Sequence, residues 1–261
     1  MSTALITGAS AGIGKELARV FAAGGHDLVL VARRLPELQA LGAELEQQHR
    51  IKARAIACDL TSEAALSDLL AEARDLALDS LVNNAGFGTA GPFADLDADR
   101  EAAMVALNIA AVVRLTRAVL PGMIARRKGR ILNIGSTAGF QPGPYMATYY
   151  ATKAFVNSFS QAVAYEVRGT GVTVTVSCPG PTASEFGALS GLDRSRLFGM
   201  GTATSASVAR EAYQAMQRGR PMVVHGLRNR ILAQSTRFSP RAWLCAITGY
   251  LNRAPVVGPA R

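Results

Sequence analysis

Short aliphatic and β-branched runs alternate along this chain with longer amphipathic stretches, and the alternation holds as far as residue 225. The runs fall at 3–7, 27–32, 53–58, 79–83, 129–135, 172–178 and 221–225. Helical periodicity occupies 12–24, 35–48, 62–75, 99–127, 148–168 and 205–218 between them. Runs such as Leu28-Val29-Leu30-Val31 and Val172-Thr173-Val174-Thr175-Val176 are apolar or β-branched throughout, as strands are when both faces of their sheet are covered. Strict β–α alternation demands crossover connections, which put helices on both sides of a parallel sheet. The expectation is an α/β protein: a doubly wound, seven-stranded parallel sheet over 1–225. A short, helical, basic C-terminal extension, 226–261, would pack on that domain.

Ligands of such sheets bind beyond the carboxyl ends of the strands. Six segments of the chain reach that rim: Gly8–Gly14, Arg33-Arg34, Cys58-Asp59-Leu60, Asn83-Asn84-Ala85-Gly86, Ser136, and Pro179-Gly180-Pro181-Thr182. Gly8, Gly12 and Gly14 span the first strand-to-helix turn, where glycine lets the backbone approach a pyrophosphate and the following helix offers free N–H groups. A glycine-rich turn after the first strand of a βαβ unit is a strong sign of a dinucleotide site. At the end of the second strand an acidic residue would accept from an adenosine 2′-hydroxyl. Ala32-Arg33-Arg34 stands there instead. Guanidinium groups bind a 2′-phosphate, so the expected cofactor is NADP(H). Glu37 could pair with one of the two arginines.

Tyr149 and Lys153 are i and i+4 at the start of a helix and share a face, with Ser136 upstream. A free phenol is a poor base at neutral pH, and a nearby lysine cation is expected to lower its pKa. Tyr149 could then pass a proton to or from an alcohol oxygen, with Ser136 donating a hydrogen bond to the same atom. Tyr150, the adjacent phenol, is the rival.

Thr7-Gly8-x-x-x-Gly12-x-Gly14, Asp59, Asn83-Asn84-Ala85-Gly86, Asn108, Ser136, Tyr149-x-x-x-Lys153 and Pro179-Gly180 follow one another in an order and at separations that resemble the short-chain dehydrogenase/reductase family, along about 1–225. The family's Ser-to-Tyr separation selects Tyr149 over Tyr150. The resemblance implies a catalytic set of Asn108, Ser136, Tyr149 and Lys153, with Asn108 holding a water that links Lys153 to solvent. It implies cofactor contacts from Gly8, Ser10, Gly12, Ile13, Gly14, Arg33, Arg34, Asp59, Leu60, Asn84, Ala85, Gly86, Tyr149, Lys153, Pro179, Gly180 and Thr182. It also implies a homo-oligomer, a dimer or a tetramer, through the last strand or the long helices that carry Asn108 and Tyr149. Two departures are Ser184, where Thr is usual, and Ala11, where some NADP-dependent relatives carry a basic residue.

Phe87, Phe140, Tyr145 and Phe186, together with Ser136, are expected to face the substrate. An apolar lining of this kind suits a small hydrophobic ketone, aldehyde or alcohol. Catalytically idle scaffolds and sugar-nucleotide epimerases remain rivals, disfavoured by the intact Asn/Ser/Tyr/Lys set and by the glycine spacing. The formal charge of +9 is unevenly placed: residues 212–261 hold eight arginines and no Asp, Glu or Lys. That argues against a general nucleic-acid surface and for a local property of the tail. Arg228, Arg230, Arg237 and Arg241 flank Ile231, Leu232, Trp243, Leu244, Ile247, Tyr250 and Leu251, in a pattern of two short amphipathic helices broken at Ser239-Pro240. Such a tail could pack on its own body or a second subunit, or touch an anionic membrane peripherally. The first strand begins at once, no run reaches about 20 apolar residues, and Cys58, Cys178 and Cys245 have no metal or disulfide spacing. A cytoplasmic protein without a metal site, possessing at most peripheral membrane contact, is expected.

Overall fold

The computed structural model describes residues 2–183, 185, 187, 196–199 and 201–253. In chain order its elements are β1 (Ser2–Thr7), α1 (Gly12–Ala23), β2 (His26–Ala32), α2 (Leu35–His49), β3 (Ala53–Ala57), α3 (Glu63–Asp75), β4 (Ser80–Asn83), α4 (Ala98–Val105), a π turn (Ala106–Ala111), α5 (Val112–Ala125), β5 (Gly129–Ile134), α6 (Ala147–Glu166), β6 (Val172–Cys178), β7 (Thr182–Ala183), the single turn α7 (Arg196–Gly199), β8 (Ala203–Thr204), α8 (Ser205–Gln217), β9 (Met222–Val224), α9 (Leu227–Ser235) and α10 (Arg241–Asn252). Seven strands form one sheet in the order β3-β2-β1-β4-β5-β6-β9, every pair parallel. The order reverses between β1 and β4, so the switch-point crevice lies there. β7 and β8 make a separate two-stranded pair.

Alternation along each strand divides the core into two layers. Leu5, Val29, Val31, Leu81, Ile131 and Val174 point to one face, where α3, α5 and α6 bring Leu66, Leu69, Leu70, Leu115, Val119, Met123 and Val163. Ala4, Ile6, Leu28, Leu30, Val82 and Leu132 point to the other, against Leu17, Phe21, Leu38, Leu41, Leu45, Ala212 and Met216 of α1, α2 and α8. Each of these side chains is almost wholly removed from water. A buried aliphatic side chain of this size contributes roughly 1.5–3 kcal/mol, and this double layer is the main support of the rim above it.

The long helical segment predicted over 99–127 is not uniform. It runs as α4, then six residues of π helix, then α5. A π bulge adds a residue to a turn and re-aims a side chain, and such bulges gather at functional sites. Here it carries Asn108. The segment Ala98–Ala125 is also long and apolar enough to cross a membrane by length and composition. Asp99, Arg100, Glu101, Arg114 and Arg117 interrupt it, so no unbroken apolar run in it reaches about 20 residues. In the fold, α5 is a helix packed on the sheet through Leu115, Val119 and Met123.

Beyond β9 the tail forms the two expected helices, with Pro240 as the N-cap of α10. Leu244, Thr248 and Asn252 make one buried stripe of α10. Thr248 Oγ1 donates to the Pro142 carbonyl at 2.8 Å, and Asn252 Nδ2 to the Pro144 carbonyl at 3.0 Å. Arg196 lies over the Tyr250 ring at 4.4 Å and donates to the Tyr250 carbonyl at 3.1 Å. The tail is thereby fastened to the loop that leads into α6.

Candidate active site

The glycine turn is built from what a side chain would block. Gly8 and Gly12 have φ of +68° and +53°, the left-handed region that glycine tolerates best. A Cβ on Gly8 would stand 2.8 Å from Asn84 Nδ2, and one on Gly14 would stand 2.1 Å from the Gly8 carbonyl oxygen. Asn84 braces the turn, its Nδ2 donating to the carbonyls of Thr7 at 2.9 Å and Gly8 at 3.2 Å. Thr7 Oγ1 accepts from the backbone N–H of Asn84 and Ala85 at 3.0 and 3.1 Å. The turn is thus clamped from the β4 side. It leaves the N-terminus of α1 open to the rim.

A cavity of about 930 Å3 opens there. Gly8, Ser10, Gly12, Ile13, Arg33, Arg34, Asp59, Leu60, Asn84, Ala85, Gly86, Ser136, Tyr149, Lys153, Pro179, Gly180 and Thr182 all line it. Of the expected cofactor residues only Gly14 does not; it packs α1 against the turn instead. The size, the glycine cradle and the helix N-terminus fit a dinucleotide. Arg33 and Arg34 occupy the end of β2 without an acid at either position, so the site is built for NADP(H). Arg34 is already engaged: it donates to Ser10 Oγ at 3.2 Å and to Glu185 Oε2 at 3.0 Å, and lies 3.7 Å from Glu37. Arg33 sits exposed beside Asp59, whose carboxyl is held below its ordinary pKa mainly by the Thr61 N–H and hydroxyl, with Arg33 adding to the effect.

At the far end of the cavity Ser136, Tyr149 and Lys153 converge. Ser136 Oγ accepts from the Ala138 N–H at 3.1 Å and hydrogen-bonds the Tyr149 hydroxyl. Lys153 Nζ is buried, donates to the Ile134 carbonyl at 2.8 Å, and lies 5.9 Å from the centre of the Tyr149 ring. Asn108 is fixed by three bonds: it accepts from Phe87 N–H at 3.2 Å, and its Nδ2 donates to the Phe87 carbonyl at 2.9 Å and to Thr152 Oγ1 at 3.1 Å. A Cβ added to Gly86 would stand 2.9 Å from Asn108 Oδ1 and 3.7 Å from Lys153 Nζ, so Asn108, Gly86 and Lys153 are neighbours.

The electrostatics differ from the sequence expectation. Burial pushes the Tyr149 phenol above its ordinary pKa, with the Ser136 hydrogen bond pulling the other way. Burial also pushes Lys153 down, to about 8. Desolvation therefore acts on both partners and favours their neutral forms. In the free protein Tyr149 holds its proton at neutral pH, which is the form a general acid needs. Cys178, beside Lys153, is a buried thiol pushed up to about 12 by burial and is inert.

The rival phenol is occupied elsewhere. Tyr150 Oη donates to Asn252 Oδ1 of α10 at 3.0 Å, and the residue is buried. The two hydroxyls of this pair thus have different partners, Ser136 for Tyr149 and the tail for Tyr150.

Three substrate-side expectations need correction or fall outside the description. Phe87 lines the cavity. Phe140 does not; it packs on Val156, Val176 and Cys178 below the rim. Tyr145 is not part of the wall either: its φ is +66°, and the Arg253 guanidinium lies 5.2 Å from its ring centre. Phe186 lies outside the described residues. The wall is completed by Gln141 and Met146, just before α6, and by tail residues that motif reasoning did not place at the site: Leu227, Arg228, Leu232, Leu244, Ile247 and Leu251. Their signal was the 3–4-residue spacing of apolar side chains in the extension, which marks a buried face without naming what it buries against. Among the described residues no group of His, Cys, Asp or Glu is placed to hold a metal ion.

Comparison with known proteins agrees with this geometry. A family model described as short chain dehydrogenase matches residues 2–194. Very-long-chain 3-oxoacyl-CoA reductases of Laccaria bicolor and Bos taurus are each 38% identical, over 175 and 180 residues, or 66% and 67% of this chain. The matched segments span only 52% and 58% of those relatives' own lengths. A short-chain dehydrogenase from Sphingobium yanoikuyae, solved in complex with NADPH, is 34% identical with a TM-score of 0.83, covering 91% of this chain and 94% of that one. The bulky-bulky ketone specific alcohol dehydrogenase from Comamonas testosteroni is 32% identical with a TM-score of 0.79, covering 91% and 92%. The chain belongs to the short-chain dehydrogenase/reductase family.

Proposed function

We propose that the protein reduces a bulky hydrophobic ketone or aldehyde to its alcohol with NADPH, and catalyses the reverse oxidation with NADP. The observation that carries this reading is the continuity of one cavity from Arg33 to an apolar end at Tyr149, walled by Phe87, Met146, Leu232, Leu244, Ile247 and Leu251. Bound NADPH supplies the hydride. Tyr149 Oη gives its proton to the carbonyl oxygen as negative charge develops there, and Ser136 Oγ–H donates a second hydrogen bond to the same atom. Lys153 holds positive charge near the phenol and helps to seat the cofactor. Asn108 fixes the Phe87 loop over the site and links Lys153 to solvent. Tyr149, protonated at neutral pH, is in the form that donates to a carbonyl oxygen.

A second reading has support from the relatives' names: the ketone could be that of a long-chain 3-oxoacyl thioester, with Arg228 at the cavity mouth meeting an anionic carrier. A panel of bulky aryl and alicyclic ketones beside 3-oxoacyl thioesters, assayed with NADPH and with NADH, separates the two. The first reading expects the highest kcat/KM for uncharged bulky ketones, with NADPH preferred. A clear preference for the thioesters would replace it by the second. Dimerisation through the α5–α6 face, where Ile124, Phe155 and Tyr165 are exposed, belongs to the same proposal and is tested by light scattering.

A further inference from the structure

The extension has a buried stripe and a separate apolar one that is exposed. On α10, Leu244, Thr248 and Asn252 face the body, whereas Trp243 and Ile247, one turn apart, face solvent at 68% and 56% exposure. On α9, Leu227 and Ile231 are again one turn apart and are 72% and 61% exposed. Phe238, in the connection between the helices, is 89% exposed. Isolated exposed apolar residues are ordinary, but a group of large ones gathered on two consecutive helices is a binding surface.

Two further observations identify what it binds. The first is charge. Arg228, Arg230, Arg237 and Arg241 are exposed around these side chains, and no acidic residue occurs anywhere from 212 to the end of the chain. A protein partner or second copy would bring acids and apolar residues in a fixed pattern; a surface of pure cations and large apolar groups is complementary to anionic headgroups above acyl chains. The second is position. Leu227 and Ile247 are exposed and at the same time line the catalytic cavity, so the apolar face is continuous with the cavity mouth.

We infer that α9 and α10 dock on an anionic phospholipid bilayer and turn the mouth of the catalytic cavity toward the lipid phase. The substrate then enters from the membrane, so it is a lipid-soluble carbonyl compound; this last step rests on the function proposed above, whereas the docking does not. Ser136, Tyr149 and Lys153 stay above the interface at the sheet rim, and the phosphate-binding turn stays in water.

Trp243 is the only tryptophan of the chain and reports on its own face. Full-length protein is titrated with vesicles of phosphatidylcholine alone or with phosphatidylglycerol added, at low and high salt. Trp emission is followed, and retention is measured by co-sedimentation. The expected result is a blue-shifted emission, quenched by brominated acyl chains, and retention only on anionic vesicles at low salt. Replacing Arg237→Gln with Arg241→Gln, neither of which lines the cavity, removes two cations worth together roughly a thirtyfold loss of vesicle affinity. Phe238→Ser in the same assay abolishes retention but leaves turnover of a water-soluble ketone intact. Unshifted emission with all protein in the supernatant overturns the inference. So does concentration-dependent burial of Trp243 in a dimer without vesicles, which assigns the face to a second copy. Activity on soluble ketones is measured on the same samples. Its absence would count against the proposed reaction and not against docking.

Discussion

Tyr149 and Tyr150 are chemically identical neighbours, and the difference between them is one of partners. Tyr149 reaches Ser136 and the open cavity, and Tyr150 is spent on Asn252. Tyr149→Phe is therefore expected to abolish turnover while NADPH still binds, as read by cofactor fluorescence. Tyr150→Phe should keep most of the turnover and lose about 1 kcal/mol of stability with its hydrogen bond. Inactivation by the second change and not the first would reverse the assignment. The arginines divide in the same way. Arg34 is held by Ser10, Glu37 and Glu185, so Arg33 has the freer guanidinium for a 2′-phosphate. Arg33→Ala should weaken NADPH by about 1.5–3 kcal/mol, more than Arg34→Ala, with little change for NADH. Equal losses for both cofactors in calorimetric titrations would make the arginines structural. The pH dependence follows from Lys153. Its pKa is lowered to about 8, so its charge is present below that pH and lost as pH rises through it, whereas Tyr149 remains protonated. kcat/KM for NADPH, which reports the free enzyme, should be level near neutrality and fall through pH 8. An alkaline limb that begins only near the ordinary lysine value would show that burial does not depress it.

Among the elements, the π turn and the tail matter most. The π turn was invisible in a pattern that reads as one helix, because an added residue shifts the register without breaking apolar periodicity. Asn108 itself was legible from its motif. The tail shows the opposite limit. Its two helices, their break at Pro240 and their apolar spacing could be read from the sequence. The partner of the buried stripe could not, because Thr248–Pro142 and Asn252–Tyr150 join positions about a hundred residues apart. For the same reason Phe140 and Tyr145 were assigned to the substrate. Nearness to Tyr149 along the chain does not say which way a side chain turns, and the positive φ of Tyr145 and the Val156 cluster beneath Phe140 turn them away. Asn252→Ala leaves the Tyr150 hydroxyl and the Pro144 carbonyl without their partner and should cost about 1–3 kcal/mol. In a chain of this size that is a fall in Tm of a few degrees. The KM for a bulky ketone should rise while the affinity for NADPH stays. An unchanged KM would mean that the tail covers the cavity without shaping it.

At the scale of the whole molecule, the parallel sheet converts six separate loops into one rim. Six segments of the site follow strand ends within two residues, Gly8 after β1, Arg33 after β2, Asp59 after β3, Asn84 after β4, Ser136 after β5 and Pro179 after β6, and α6 and the π turn add Tyr149, Lys153 and Asn108 beside them. That is why the order of strands is enough to gather the motifs from the sequence alone. The last strand delivers the tail to the same rim, where it closes the apolar end of the cavity. The central claim is hydride transfer in that cavity with Tyr149 as the acid. It is tested most directly by single turnover with NADPH carrying deuterium at the transferable position, and mass spectrometry of the product from a bulky hydrophobic ketone. The account predicts an alcohol with one deuterium from the native protein and none from Tyr149→Phe at equal cofactor occupancy. Tight NADPH binding by the native protein with no labelled alcohol from any ketone or thioester in the panel would contradict it.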